Sequence, residues 1–338
     1  MTDKTRQEKF ERYGWACSEA NLSTLPSTAP EEIKGLAKWL TLEGRRSSLE
    51  EWVGCVQDDG KLHGKFWPIG AWTHRMSHSN PNQANIPSAF HGVPTSAVEE
   101  VKAKYDHKLR ELFYSDHWLV GCDASGIQLR ILAHYMKSPE YRDAILSGSS
   151  ADGTDIHNLN RKKLGPVCKD RDTAKTFIYG FVLGAGIPKV ANILECSIAQ
   201  ASSAQTSFID SLPGLKKLKS RMIPHDAARG YFTGFDGRKV PCSSEHLMLA
   251  GYLQNGETIV MRYATLRWMK AAKAEGIDFT LRNLVHDEWQ TEVRGPKEDA
   301  ERLGELQCQA LRDVGDHFNL FCPMDGEYRI GKNWKDTH

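Results

Sequence analysis

The sequence predicts an α+β fold arranged in two lobes, and two observations carry that prediction. Strand candidates stand far apart, at residues 117–123 and 279–285, and the second is followed by 289–293 as its hairpin partner. Between them the apolar residues recur at helical spacing, over 171–183 and over a long stretch around 246–274. A chain of 338 residues, 40% hydrophobic and 26% charged, has the length and apolar content for a large core.

Taken in order, the N-terminus (Met1 to Lys9) is charged and no apolar stretch follows it, so it does not read as a secretory signal. The longest apolar runs, Trp118–Cys122 and Phe181–Ile187, are far shorter than the roughly 18 residues of a membrane-spanning helix. A cytoplasmic protein without a membrane span is expected. The eight cysteines are scattered without a C-x-x-C pair, which suits reduced thiols. Lys plus Arg number 44 against 43 for Asp plus Glu, so any polyanion site must be local.

The segment up to about Gln57 reads as helical, most clearly after Pro30, where Glu31 and Glu32 precede Ile33, Leu36, Trp39 and Leu40 at helical spacing. Asp58–Gly60 is a turn, and Lys61–Trp72 reads as a hairpin interrupted by glycines. The strand at 117–123 runs into Ala124–Gly126 and then a buried helix carrying Ile127, Leu129, Ile131, Leu132, Tyr135 and Met136, which puts Asp123 at a strand end. The strand at 279–285 likewise ends on His286, Asp287 and Glu288, and Pro296–Phe318 is the last strongly helical stretch.

Three groups of residues carry chemistry. At about 100° per residue, Arg171, Lys175 and Tyr179 form one row on a helix, two cations and a ring, able to hold a triphosphate along the cations and a sugar against the ring. Asp155-Ile-His157 lies upstream, and between residues 157 and 175 six Lys/Arg face two Asp, a basic patch in a neutral protein. Asp123 and Asp287, if brought together, would supply the two carboxylates that a pair of Mg²⁺ ions uses for in-line phosphoryl transfer; each alone is as readily a turn former or a helix cap.

Taken together, Gly121-Cys122-Asp123-Ala124-Ser125-Gly126-Ile127-Gln128-Leu129-Arg130, Arg171 through Gly180 and Val285-His286-Asp287-Glu288 resemble motifs A, B and C of family A DNA polymerases, the DNA polymerase I group, in its bacteriophage branch. The segment Thr73–Pro87 resembles the one that precedes motif A in that family, and Asp236-Gly237-Arg238-Lys239, Gln254 and the terminal Gly331–His338 follow in order.

The resemblance implies a right-hand polymerase: a palm on a small antiparallel sheet at 61–137 and 236–338, inserted helical fingers at 138–235, and a thumb remnant of N-terminal helices at 1–60 with the thumb otherwise mostly absent. It implies template-directed addition of dNTPs to a primer 3′ end in phage DNA replication, with primer-template DNA as partner and host-cell cytoplasm as location. Asp123 and Asp287 would hold two Mg²⁺ ions, with Mn²⁺ able to substitute and the main-chain carbonyl of Cys122 or Ala124 as a further ligand. His157, Arg171 and Lys175 would grip the triphosphate, and Lys175 would donate a proton to the leaving pyrophosphate. Tyr179 would lie on the deoxyribose, where Tyr rather than Phe goes with acceptance of dideoxynucleotides. Arg75 and Gln254 would read minor-groove acceptors at the primer terminus, with His286 and Glu288 near the primer end.

Four departures stand out. Gln128 stands where the family has the Glu that blocks a ribose 2′-hydroxyl, Leu183 replaces a Tyr at the end of the motif B row, and Ala250 stands where an Asn is usual. Only about sixty residues precede Lys61, and no Asp-x-Glu pair precedes Asp123, so the chain reads as the polymerase half of a split enzyme. A separately encoded chain would supply thumb and exonuclease, docking on apolar residues such as Trp15, Trp39, Leu40 and Trp52. The alternatives are a single-subunit RNA polymerase, favoured by Gln128 and opposed by Glu288, a catalytically inactive DNA-binding accessory subunit, and a zinc module on Cys55, His63, His74 and His78.

Overall fold

A computed structural model of the chain describes residues 14, 17–23, 25, 28–90 and 92–338. They divide into two compact units, one built from the described residues up to Phe66 with His78–Leu119 and Ile330–His338, the other from Trp67–Ser77 and Val120–Arg329. The expected α+β class holds: many helices accompany three small sheets. Among the described residues no helix is long and apolar enough to cross a membrane.

In the first unit the helices are α1 (Glu19–Leu22), α2 (Glu31–Cys55) and α3 (Ala97–Glu111). Pro30 sits just before α2 and Glu31 and Glu32 occupy its first turn, where a fixed φ and negative charge both favour helix initiation. Arg45 of α2 binds both oxygens of buried Asp106 on α3, at 2.8 and 3.0 Å, so the two helices are pinned by a bidentate pair beside the small cluster of Leu22, Ala37, Ala97 and Val98. Of the residues expected to dock a partner, Leu40 and Trp52 pack within this unit, while Ile33, Leu36, Trp39 and Val53 of the same helix stay exposed. Trp52 is buried edge-on against Phe113, which in turn meets Trp334 edge-on, and Leu40 packs on the cluster. Trp39 stays 57% exposed, and Trp15 lies outside the described residues.

The strand after the Asp58–Gly60 turn is β1 (Lys65–Trp67), but its partner is β2 (Ser77–Ser79), not a strand within 61–72. The reason is local: the N–H groups of Gly70 and Ala71 both donate to the Arg75 carbonyl, at 3.0 and 3.1 Å, closing residues 70–75 into a loop.

The second unit is organised by a four-stranded sheet in the order β6-β7-β3-β8, from β3 (Tyr114–Asp123), β6 (Phe279–Val285), β7 (Glu288–Val293) and β8 (Glu327–Asn333); β3 and β8 continue into the first unit. A further hairpin joins β4 (Tyr231–Thr233) and β5 (Lys239–Pro241). Between β3 and β4 lie α4 (Ile127–Met136), α5 (Pro139–Leu146), α6 (Ile156–Leu164), α7 (Arg171–Val182), α8 (Ile187–Leu194), α9 (Ile198–Asp210), α10 (Pro213–Lys217) and α11 (Ile223–Arg229). The 30-residue α12 (Glu245–Ala274) leads to β6, and α13 (Lys297–His317) precedes β8. Gly251 lets α12 approach Trp72 closely, since a Cβ there would stand 2.7 Å from the indole ring.

His134 on α4 shows how this unit depends on pH. Its Nδ1 accepts the Phe321 N–H at 2.9 Å, with Lys137 as the nearest cation, and burial followed by that charge pushes its pKa down to about 4. The unfolded chain takes up a proton there near pH 6.5 and the folded chain does not, so stability is full above that pH and falls as the pH drops toward 4. Allowing for the ring's partial exposure, about 1 kcal/mol should be lost between pH 7 and pH 5. Urea midpoints at the two pH values check this; an equal pH dependence in His134→Gln would contradict it.

Candidate active site

Asp123 closes β3, and the chain turns at once through Gly126, whose φ of 57° is the left-handed value that opens α4. The turn is stapled by Arg130, which donates to the carbonyls of Ser125 at 2.7 Å and Pro323 at 2.6 Å. Asp287 occupies the two-residue turn between β6 and β7, next to His286, a non-glycine residue held at φ 56°. The Ala124 N–H donates to the Asp287 carbonyl at 2.9 Å. That main-chain bond ties the two strand ends where β3 runs beside β7 in the sheet.

The electrostatics follow from the junction. Burial, then the charge of Glu257, then that of Asp123 push the Asp287 carboxyl up to about 8, opposed by Arg75. Negative charge gathered at a partly buried junction is what a divalent cation relieves, and hard cations use one or two carboxylates and leave positions for phosphate oxygens. The donor set therefore fits Mg²⁺ or Mn²⁺. Among the described residues no three His, Cys, Asp or Glu side chains form a closed metal cage, which leaves the zinc alternative without a ligand set there. Of the two carbonyls flanking Asp123, that of Ala124 accepts the Ile127 N–H at 3.3 Å, while the Cys122 side chain turns to Cys308, with Sγ atoms 3.9 Å apart. All eight cysteines are free thiols.

The row of Arg171, Lys175 and Tyr179 lies on α7, whose start is capped by Asp170 accepting the Thr173 N–H at 2.7 Å. Tyr179 faces the carboxylate junction: burial and then the charges of Asp287 and Asp123 raise its phenol. Lys175 is exposed. Arg171 is engaged in the structure, its Nε and Nη2 on Asp155 Oδ2 at 2.8 and 2.6 Å, and Asp155 also caps α6 through the Asn158 N–H at 3.1 Å. This clamp sets His157 beside the row, its ring 6.2 Å from that of Tyr179. Burial and then the Arg171 charge hold the imidazole below its usual pKa, and its Nδ1 is buried without a hydrogen-bond partner among the described residues.

The remaining candidates gather on α12. The Thr73 hydroxyl donates to Gln254 Oε1 at 3.2 Å, and Asn255 donates to the Thr73 carbonyl at 3.1 Å. Arg75 binds Glu257 Oε1 through Nε at 2.8 Å and Nη2 at 2.5 Å, and Gln128 Nε2 donates to Glu257 Oε2 at 2.8 Å. Glu288 is buried and accepts from Gln290 at 2.5 Å. Leu183 is exposed just beyond α7, and Ala250 is buried in α12. Glu257 escaped sequence reasoning, although it is the one acidic residue between Glu245 and Glu275 in an apolar stretch, a pattern that marks a buried charge with a task.

These arrangements can be set beside known proteins. The chain is 30% identical to the DNA-directed DNA polymerase of Escherichia phage T7, across 98% of this chain and 51% of that protein. It is 29% identical to that of Enterobacteria phage T3 over the same shares, and 25% identical to DNA polymerase I of Bacillus caldotenax across 83% of this chain and 32% of that one. It thus spans about half the length of the phage relatives. Its fold matches the POL domain of Pol1 from M. smegmatis, solved in complex with DNA primer-template and dNTP, at a TM-score of 0.76 and 19% identity over 99% of this chain and 56% of that chain. The sequence profile of DNA polymerase family A matches residues 1–336, and with Asp123 and Asp287 at neighbouring strand ends and Arg171, Lys175 and Tyr179 in one row of a helix, this chain belongs to DNA polymerase family A.

Proposed function

We propose that residues 1–338 are the polymerase portion of a DNA-directed DNA polymerase acting in phage DNA replication, in the cytoplasm of the host cell. The observation that carries the reading is that Asp123 and Asp287, at the ends of neighbouring strands, come together beside the Ala124 N–H to Asp287 carbonyl bond, with both charges acting on Tyr179. Residues 61–137 and 236–338 act as palm, 138–235 as fingers, and 1–60 as the end of a thumb.

Asp123 and Asp287, with the Cys122 or Ala124 carbonyl, would hold two Mg²⁺ ions; when bound, such ions neutralise the charge that develops on the transferring phosphoryl group. Lys175, Arg171 and His157 bind the triphosphate, Arg171 by sharing its guanidinium between Asp155 and phosphate. Lys175 gives the departing pyrophosphate its proton. Tyr179 supports the deoxyribose, and Gln128 crowds the 2′ position. Arg75 and Gln254 donate to minor-groove acceptors of the terminal pair, which stand in the same place for every correct pair. His286 and Glu288 shape the primer end.

The phage relatives are about twice as long, and the thumb and exonuclease functions are proposed to come from protein outside these 338 residues. Incorporation of dNTPs and NTPs on one primed template tests the function. Extension with dNTPs is expected, with a kcat/KM about a hundredfold above that for NTPs. A preference for NTPs would establish the RNA polymerase alternative, and DNA binding without extension the accessory one.

A further inference from the structure

We propose that Glu257 is a positioning residue that fixes the Gln128 amide at the sugar gate and couples it to Arg75. The inference rests on the polymerase reading above and adds to it a residue and a linkage.

Glu257 is buried in the middle of α12, its side chain only 1% exposed. A lone carboxylate in such a place would be expelled or neutralised; here both oxygens are occupied. Oε1 takes two charged N–H groups of Arg75, from the loop after β1, and Oε2 takes the Nε2 of Gln128, from the first turn of α4. Three elements distant in sequence meet on one side chain.

The chemistry of the pair decides the orientation of Gln128. A carboxylate accepts and cannot donate, so the Gln128 amide must turn its NH₂ group toward Glu257 and present its carbonyl oxygen elsewhere. A Glu at position 128 could not hold this place, because two carboxylates would meet at the 2.8 Å now spanned by a hydrogen bond. Gln128 and Glu257 thus form a matched set: the gate is neutral because its holder is charged. A plain structural ion pair would need only Arg75. The third partner is the side chain placed at the nucleotide's sugar, and Arg75 is the one placed at the primer terminus, so a disturbance at the primer end reaches the gate through one carboxylate.

The test is a charge exchange. The dNTP/NTP ratio of kcat/KM and the melting temperature are measured for wild type, Gln128→Glu, Glu257→Gln and the double variant. Glu257→Gln should lower the ratio about tenfold, since the amide it orients is released. Gln128→Glu should lower kcat/KM for dNTPs about tenfold or more through like-charge contact. The double variant, with donor and acceptor exchanged, should return both quantities to within about threefold of wild type. Ratios that multiply as independent effects, or a double variant no better than Gln128→Glu, would overturn the proposal, and the second comparison stands even if Glu257→Gln alone does not fold. A wild-type chain without primer extension would overturn the polymerase reading itself. An unchanged ratio in a well-folded, active Glu257→Gln overturns only the role of Glu257.

Discussion

Replacement of Asp123 or Asp287 by Ala is expected to lower primer extension by about a thousandfold or more, because in the proposed mechanism each supplies a carboxylate where charge develops on the transferring phosphoryl group. DNA affinity should fall far less, since phosphate contacts spread over a long surface supply most of it. The structure adds a second signature. The pKa of Asp287 is raised by burial, Glu257 and Asp123, so folding disfavours its carboxylate form and leaves it largely protonated near neutral pH until a cation arrives. Asp287→Asn should therefore raise the melting temperature of the metal-free protein while abolishing extension, and Mg²⁺ should stabilise wild type but not the variant. Single-nucleotide incorporation and thermal melts with and without Mg²⁺ check both halves. Near-normal activity of either Ala variant with Mg²⁺ would rule out the two-carboxylate assignment.

Lys175→Ala should cost roughly a hundredfold to a thousandfold in kcat/KM for dNTPs, the combined worth of a charge-assisted phosphate contact and a proton for the leaving group. Lys175 is exposed on α7, so folding stability should be untouched. Arg171→Ala should look different. Arg171 also holds Asp155, which caps α6 and sets His157 against the row, so its loss should weaken nucleotide use and lower stability together, by about 1–2 kcal/mol for a largely buried pair at a helix cap. Pre-steady-state incorporation beside urea denaturation separates the two variants. Equal stability loss in both would show that Lys175 has a structural task instead.

The elements most legible in the sequence were those whose residues decide their own conformation. Residues 279–285 read as a strand ending at His286-Asp287, and β6 covers Phe279–Val285. The apolar spacing of α4, the Pro-Glu-Glu start of α2 and the long run of α12 likewise mark helices to within a residue or two. Where the partner lies elsewhere, local reading failed. The hairpin expected within 61–72 pairs instead with Ser77–Ser79, because the Arg75 carbonyl draws residues 70–75 into a loop. Trp52, expected on a docking face, is covered by Phe113, some sixty residues further on.

The sequence by itself determined the spacing of Arg171, Lys175 and Tyr179 along one helix face and the placement of Asp123 and Asp287 at strand ends, because helical and strand periods are short-range properties of the backbone. Only the tertiary structure decided that those strand ends meet through the Ala124 N–H and the Asp287 carbonyl, that Arg171 is shared with Asp155, and that Gln128 and Arg75 converge on Glu257. Each of those contacts depends on packing between segments far apart in the chain, and the free energy of a buried charge is set by what surrounds it in space, which no local pattern of residues encodes.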